Sequence, residues 1–149
     1  MKIEEAIKQK KFESERQKAV INLMYTNSWL SSVHTKCLKP FGISIQQFNV
    51  LRILRGQYPK PCTLSLVQER MLDKSSNATR LVEKLRLKGL VERNLCESNR
   101  RQVDILITEE GLILLKKASK VMHDVTEAMP LNDLEAIQLN KLLEKMRGL

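Results

Sequence analysis

The apolar residues recur mostly at helical spacing, which predicts a mainly α-helical protein. Residues 1 to about 38 contain neither glycine nor proline. Their pattern predicts one long helix, or a short arm followed by a long helix, and Pro40 and Gly42 end it. The first eighteen residues are highly charged, so the apolar stripe is thin. A long helix with a thin stripe more often packs against a partner chain than against its own domain.

A second, strongly apolar helix is predicted after Gly42. Ser44 is a plausible N-cap, and Gln47 stands three residues later in a capping-box arrangement. Residues 56–61 predict a loop, and residues 62–64 a short edge strand. A further helix, capped by Thr63 or Ser65, then runs to about residue 72. The apolar residues of the second helix are Phe48, Val50, Leu51, Ile53 and Leu54.

Residues 71–101 carry the pattern of a helix followed by a hairpin. Asp73 or Ser75 can cap this helix, and Gly89 stands where a C-terminal glycine ends it. Two strand-like runs, 90–95 and 103–108, flank the polar segment ESNRRQ, so the pattern predicts a winged helix. Together with the preceding helix it makes a helix-turn-helix. One apolar stripe at positions i, i+3, i+4 and i+7 consists of Ala78, Leu81, Val82 and Leu85.

The other side of this helix carries polar and basic side chains. At about 100° per residue, Ser76 and Arg80 point away from the stripe, with Thr79 and Lys84 beside them. Such side chains bond to phosphates and to base edges. The chain has a formal charge of +9, and residues 73–101 hold eight basic against four acidic residues. This concentration favours a nucleic-acid partner, although a solvated helix face is the alternative.

Two more helices follow the hairpin. Thr108 caps the first, which runs to about Met129 before Pro130, and Asn132 with Glu135 repeats the capping-box pattern. Apolar stripes at both ends of the chain predict burial between the subunits of a homodimer; packing back on the single domain is the alternative. We expect a winged helix-turn-helix at 44–111 and dimerisation helices at 1–38 and 112–149, within one unit spanning 1–149.

Composition narrows the class of protein. No apolar run approaches the roughly 18–20 residues that cross a bilayer, and no signal peptide is visible, so we expect a soluble, cytoplasmic protein without membrane contact. Cys37, Cys62 and Cys96 do not form a disulfide framework; a redox sensor is the alternative to buried or incidental thiols. Two histidines argue against a metal site. No cofactor or enzyme motif is present in the sequence.

The chain resembles the multiple antibiotic resistance regulator (MarR) family. The resemblance lies in the order of elements, in residues 79–93 (TRLVEKLRLKGLVER), and in NRR and ITEEG at 99–101 and 107–111. It implies a dimeric transcription regulator, usually a repressor, whose DNA affinity changes when a small molecule or an oxidant acts on it. The alternatives are a winged-helix module for protein–protein contact and a non-specific architectural DNA binder.

The resemblance also implies roles for individual residues. Lys84 matches a phosphate contact, and Lys74 in the preceding turn is counted with the DNA-binding residues. Arg101 matches a wing arginine that enters the minor groove, and Arg100 is its basic neighbour. Asn99 stands where the family usually has an aspartate that braces this arginine, so the charge-assisted part of that contact is lost. The residues that match the family's major-groove positions are Ser75, Ser76, Asn77, Thr79 and Arg80.

In the family, effectors bind in a cleft between the dimerisation helices and the winged domain. Lining candidates here are Tyr25, Trp29, His34 and Phe48, because such pockets are mostly apolar with a few polar groups. The alternative is that Trp29 and Phe48 are ordinary packing residues.

Overall fold

The computed structural model describes residues 1–95 and 103–148. Its three short strands form one antiparallel sheet, in which the last strand along the chain lies between the other two. The elements follow the chain as α1 (Ile3–Ala6), α2 (Glu15–Leu38), α3 (Ile45–Gln57), β1 (Cys62–Thr63), α4 (Leu64–Arg70), α5 (Ala78–Leu87), β2 (Val91–Leu95), β3 (Val103–Ile107), α6 (Glu109–Glu127) and α7 (Asp133–Met146).

The N-terminal segment takes the second of its two predicted forms, a short arm followed by a long helix. The arm, α1, is tied to α2 by an ion pair in which the Lys18 ammonium lies 2.5 Å from the Glu4 carboxylate. Helix α2 ends at Leu38 and is followed by one 3-10 turn, Lys39–Phe41. Gly42 then adopts a φ of 64°, which is favourable only for a residue without a Cβ. The predicted end of the helix is therefore confirmed.

Helix α3 lies at the centre of the fold, as its apolar sequence predicts. Val50 and Leu51 are fully buried. Both hydrogen bonds of the predicted capping box between Ser44 and Gln47 are present. The predicted loop over 56–61 was wrong at its start, because α3 continues through Gly56 and ends at Gln57. A single glycine in the last turn costs too little to end a helix whose apolar side is buried.

The helix-turn-helix consists of α4, the segment 71–77 and α5. Helix α4 is capped by the Thr63 hydroxyl and ends at Arg70, two residues before the predicted end. The predicted cap of α5, Asp73 or Ser75, was wrong. The Asn77 side chain caps it by accepting a hydrogen bond from the Arg80 N–H. The helix therefore begins directly at its apolar stripe, and residues 73–76 form the turn before it.

The strands differ from the prediction only at their ends. Val91 pairs with Ile107 and Leu95 with Val103 across the hairpin, while β1 extends the sheet through Cys62 opposite Ile105. Strand β3 stops before Thr108 because the Thr108 hydroxyl accepts the Gly111 N–H at the start of α6. The hairpin tip, residues 96–102, lies outside the described residues.

The two C-terminal helices differ in how they pack. Helix α6 buries Leu115 and Ala118 against the core, whereas α7 has no buried residue. At the start of α6, Gly111 is in close contact with the residue that leads into β2. A Cβ built on Gly111 would lie 2.2 Å from the Leu90 carbonyl oxygen and 2.7 Å from Ile107 Cγ1. Only glycine fits there without a backbone shift.

We predict that Gly111→Ala lowers the free energy of unfolding by about 1–3 kcal/mol, because the added methyl group meets backbone that cannot rotate away. The matched control is Gly56→Ala, where a Cβ meets nothing within 4 Å. That control should be neutral or stabilising by up to about 1 kcal/mol. Urea unfolding at one fixed protein concentration measures both changes. Equal stability of the two variants would contradict the close contact.

We also predict that Asn77→Ala destabilises the protein by about 1 kcal/mol, because the Arg80 N–H at the start of α5 loses its acceptor. Asn77→Asp keeps an acceptor and should keep most of the stability. The measurement is again urea unfolding. A similar loss in both variants would argue against a capping role.

Candidate nucleic-acid interface

Helix α5 has one buried side and one exposed side, as its sequence pattern predicts. Val82 and Leu85 are buried against the core, to 1% and 0% exposure. Thr79, Arg80 and Lys84 are exposed. The buried stripe fixes the rotation of the helix about its axis, because turning it would expose the apolar residues. The polar side chains are therefore presented outward by the core itself.

The cations on this helix are not equivalent. The Arg86 guanidinium donates two hydrogen bonds to Glu83, at 3.0 and 2.7 Å, and this pairing holds the pKa of Glu83 below its ordinary value. Within the described residues, the side chains of Arg80 and Lys84 make neither a hydrogen bond nor an ion pair. Two charges thus remain uncompensated on the exposed side of α5, where a phosphate or a base edge could meet them.

The turn before α5 uses several predicted site residues for its own structure. The Ser75 hydroxyl and N–H both donate to the Asp73 carboxylate, at 2.6 and 3.0 Å. These hydrogen bonds hold the pKa of Asp73 below its ordinary value. The Lys74 ammonium donates to the Glu69 carbonyl oxygen near the end of α4. Of the predicted site residues at the turn, Ser75, Lys74 and the cap Asn77 therefore have partners within the protein, and Ser76 is half-buried.

The far end of α5 is tied to the start of α3. The Lys88 ammonium donates to the Gly42 carbonyl oxygen and lies 3.5 Å from Gln47 Oε1. An open groove runs between these two helices, lined in part by Lys84 and Leu87. Leu87 is 71% exposed, so within this structure it is not covered by the protein. The groove continues the basic surface from α5 towards α3.

The wing residues fall outside the described part of the chain. Arg100, Arg101 and Asn99 belong to the segment 96–102, and so does Cys96. The strands that lead into this segment are described, and their register is regular up to the pair Leu95 and Val103. The described strands of the hairpin therefore belong to the same sheet as β1, which leads into α4.

The four candidate effector residues do not share one environment. Tyr25 and Trp29 on α2 are 40% and 49% exposed, whereas Phe48 lies in the core and is 6% exposed. His34 is half-buried, and this burial lowers its pKa. A separate open cleft lies between the end of α3 and the first half of α6. Its lining consists of Arg55, Tyr58, Glu109, Leu112, Ile113, Leu115, Lys116 and Ser119.

Cys62 is 1% exposed, and burial raises the pKa of its thiol, which disfavours the reactive thiolate. Cys37 is half-buried on α2. Across residues 1–95 and 103–148, no group of three or more His, Cys, Asp or Glu side chains is arranged to hold a metal ion. No helix in the same ranges is long and apolar enough to span a bilayer.

Sequence reasoning missed the capping role of Asn77 and two further amides that shape this surface. Asn77 precedes the first residue of the apolar stripe, and that position is the signal that identifies an N-cap. The other two are Asn49 on α3 and Gln68 on α4, which bond to backbone N–H groups at Leu72 and Ala78. Their partners lie 23 and 10 residues along the chain, so no local pattern could have revealed them.

Comparisons with known proteins agree with this architecture. A model of the MarR family matches residues 43–103. A MarR transcription factor of Planctomyces limnophilus has a crystal structure that is 30% identical, covering 93% of this chain and all of that one, with a TM-score of 0.68. The transcriptional repressor MprA of Escherichia coli K12 is 26% identical over 125 residues, 83% of this chain and 71% of the repressor.

A third likeness concerns the fold alone. The structure of BpsR from Bordetella bronchiseptica, whose DNA binding is regulated by 6-hydroxynicotinic acid, superposes with a TM-score of 0.73. Its sequence is 21% identical, over 93% of this chain and 97% of that one. Three observations indicate the same family. They are the family model, the relative from Planctomyces and the winged helix with its basic outer side. The chain belongs to the MarR family of DNA-binding transcription regulators.

Proposed function

We propose that the protein is a sequence-specific transcription regulator that binds a palindromic operator as a homodimer and represses the genes it controls. The observation that carries the proposal is the exposed side of α5, where the Arg80 and Lys84 cations have no partner within the described residues. Free cations on a helix that the core holds at a fixed rotation are suited to a DNA groove. The relatives are regulators, and we assign the chain no catalytic role.

In this proposal α5 enters the major groove and the wing reaches the adjacent minor groove. Thr79 and Arg80 contact base edges, Ser76 contacts them from the turn, and Lys84 binds a phosphate. Arg101, with Arg100 beside it, enters the minor groove as the family resemblance implies. The internal bonds of Ser75, Asn77 and Lys74 support a different contribution from these three, which is to fix the turn that carries the reading residues.

The homodimer is supported by the apolar surface of the terminal helices. Helix α7 carries several solvent-exposed large apolar side chains, among them Leu134 at 75% and Leu142 at 64% exposure. On α2, Met24 is 67% exposed. A helix with this much exposed apolar surface is stabilised by burial against a second copy of the chain. A two-fold dimer would also present two α5 helices to half-sites about one helical turn apart.

Repression and effector control are supported by the relatives. MprA is a transcriptional repressor, and the DNA binding of BpsR is regulated by 6-hydroxynicotinic acid. We propose a small-molecule effector for this chain as well. The cleft between α3 and α6 is its candidate site, along with the exposed aromatic side chains Tyr25 and Trp29 on α2 and the half-buried His34. Phe48 would support such a site from the core.

The experiment that tests the proposal is selection of duplexes from a random DNA pool by the purified protein, followed by sequencing, at several salt concentrations. A palindrome with half-sites about one helical turn apart is the expected product. Salt-sensitive binding without enrichment would favour a non-specific architectural binder. Absence of DNA binding at every salt concentration would favour a winged-helix module for protein–protein contact.

We predict that Arg80→Ala and Lys84→Ala weaken DNA binding in different ways. Loss of Arg80 should cost about 1–3 kcal/mol on the selected duplex and relax specificity, because it removes a base contact. Loss of Lys84 should weaken binding to all duplexes alike, because it removes a phosphate contact. The slope of log affinity against log salt concentration should fall in magnitude by about one unit. Fluorescence anisotropy across a salt series measures both effects.

The matched control is Arg86→Ala, which removes a cation from the same helix that is already paired with Glu83. It should change affinity less than either of the other variants. An Arg80→Ala variant with unchanged affinity for the selected duplex would contradict the proposed role.

We predict that Leu142→Glu on α7 shifts the protein from dimer to monomer, because a charge replaces an apolar contact between copies. The control is Asn140→Glu, which adds the same charge at an exposed polar position of the same helix. Sedimentation velocity over a concentration series gives the dissociation constant of each variant. A dimer as tight as wild type in Leu142→Glu would exclude this face of α7 from the interface.

A further inference from the structure

We infer that two side-chain amides outside α5, Asn49 on α3 and Gln68 on α4, are positioning residues for DNA reading. They hold the turn before α5 from two different elements. The inference rests on the proposed function, because it assigns these amides to the surface that would read DNA. Neither amide is among the residues for which a DNA contact is expected.

Gln68 connects α4 to the first turn of α5. Its Oε1 accepts the Ala78 N–H at 3.2 Å, and its Nε2 donates to the Lys74 carbonyl oxygen at 3.4 Å. The N–H groups in the first turn of a helix have no partner inside the helix. Asn77 supplies an acceptor for the Arg80 N–H, and Gln68 supplies one for the Ala78 N–H from a neighbouring helix. The start of α5 is therefore fixed to α4, not only to its own cap.

Asn49 fixes the other end of the turn. Its Oδ1 accepts the Leu72 N–H at 2.9 Å, across 23 residues of sequence. The neighbouring Met71 is only 1% exposed, whereas Leu72 is 85% exposed. The backbone therefore leaves the core at this point, and the bond from α3 determines where it leaves. Without it, Leu72 would have no polar link to the central helix among the described residues.

Between these two contacts, Lys74 makes two hydrogen bonds to α4. The Lys74 ammonium donates to the Glu69 carbonyl oxygen on α4, while the Lys74 carbonyl oxygen accepts from Gln68. The apolar stripe of α5 sets the rotation of the helix, but an apolar contact is not directional. A slide of α5 along its axis would preserve much of that contact. Hydrogen bonds are directional, so the two amides fix the axial position of Thr79 and Arg80.

The test compares the ratio of two affinities in the full-length protein. One probe is the duplex that wild type enriches from the random pool, and the other is the same duplex with its half-sites scrambled. Uniform electrostatic effects act on both duplexes and cancel in the ratio. We expect Gln68→Met and Asn49→Leu each to lower the ratio about tenfold, the discrimination that a single well-placed base contact supplies, with an unchanged salt slope.

Two further variants separate positioning from stability. Asn49→Asp keeps the oxygen that accepts the Leu72 N–H, so it should restore the ratio to within about twofold of wild type. Gln57→Met makes the same chemical change as Gln68→Met, at the last residue of α3, where the side chain has no hydrogen bond within the described part of the chain. It should leave the ratio unchanged. Hydrogen exchange followed by NMR should show faster exchange of the Leu72 N–H in Asn49→Leu and of the Ala78 N–H in Gln68→Met.

Three outcomes would overturn the inference. Equal losses of affinity for both duplexes would mean that the amides only stabilise the fold. An unchanged ratio despite faster exchange would mean that the turn does not control reading. Failure of the proposed function is distinguishable, because wild type itself would then enrich no duplex. Normal amide exchange in Gln68→Met and Asn49→Leu would instead refute the hydrogen bonds themselves.

Discussion

Burial of the apolar side of α3 is the constraint on which the winged unit depends. Helices α2, α4, α5 and α6 and strand β3 all contact this one helix. Val50 and Leu51 are fully buried within it, and Leu54 is 2% exposed. Its first turn is also held by polar bonds from Gln47, which is only 5% exposed. The Gln47 side chain accepts the Ser44 N–H in the capping box and lies beside the Lys88 ammonium. The position of α5 is thus determined by its contacts with α3 and, at its far end, by the bonds of Lys88 to Gly42 and Gln47.

The sequence predicted those elements whose local pattern and buried environment agree. The stripe that begins at Ala78 identified both the existence and the buried side of α5, because helical periodicity and core packing impose the same spacing. The Ser44 and Gln47 capping box and the Gly89 stop were predictable for a similar reason, since each depends on residues within one turn of the helix end. Gly89 indeed has a φ of 71°.

The sequence failed where several residues of similar chemistry compete for one role. Asp73, Ser75 and Asn77 are all residue types that favour N-caps, and the prediction offered only the first two as alternatives. In the folded chain Asp73 instead accepts hydrogen bonds from Ser75 inside the turn, which leaves Asn77 as the cap. The same competition gives Ser75 and Lys74 partners within the protein. Periodicity identifies a surface, but it does not reveal which polar groups that surface uses for its own structure.

In the proposed function, stability and DNA reading use different sides of the same helix. The buried side of α5 is apolar, and the stabilisation that it supplies scales with buried area and not with direction. The exposed side must place Arg80 to within a fraction of a base-pair step, which area alone does not achieve. Directional bonds from Asn49 and Gln68 meet that requirement without adding charge to a surface that approaches phosphates. Neutral amides suit this task better than carboxylates, since a buried or half-buried negative charge next to DNA would oppose binding. If the proposed positioning role is right, the residues that decide which DNA is read extend beyond those that touch it.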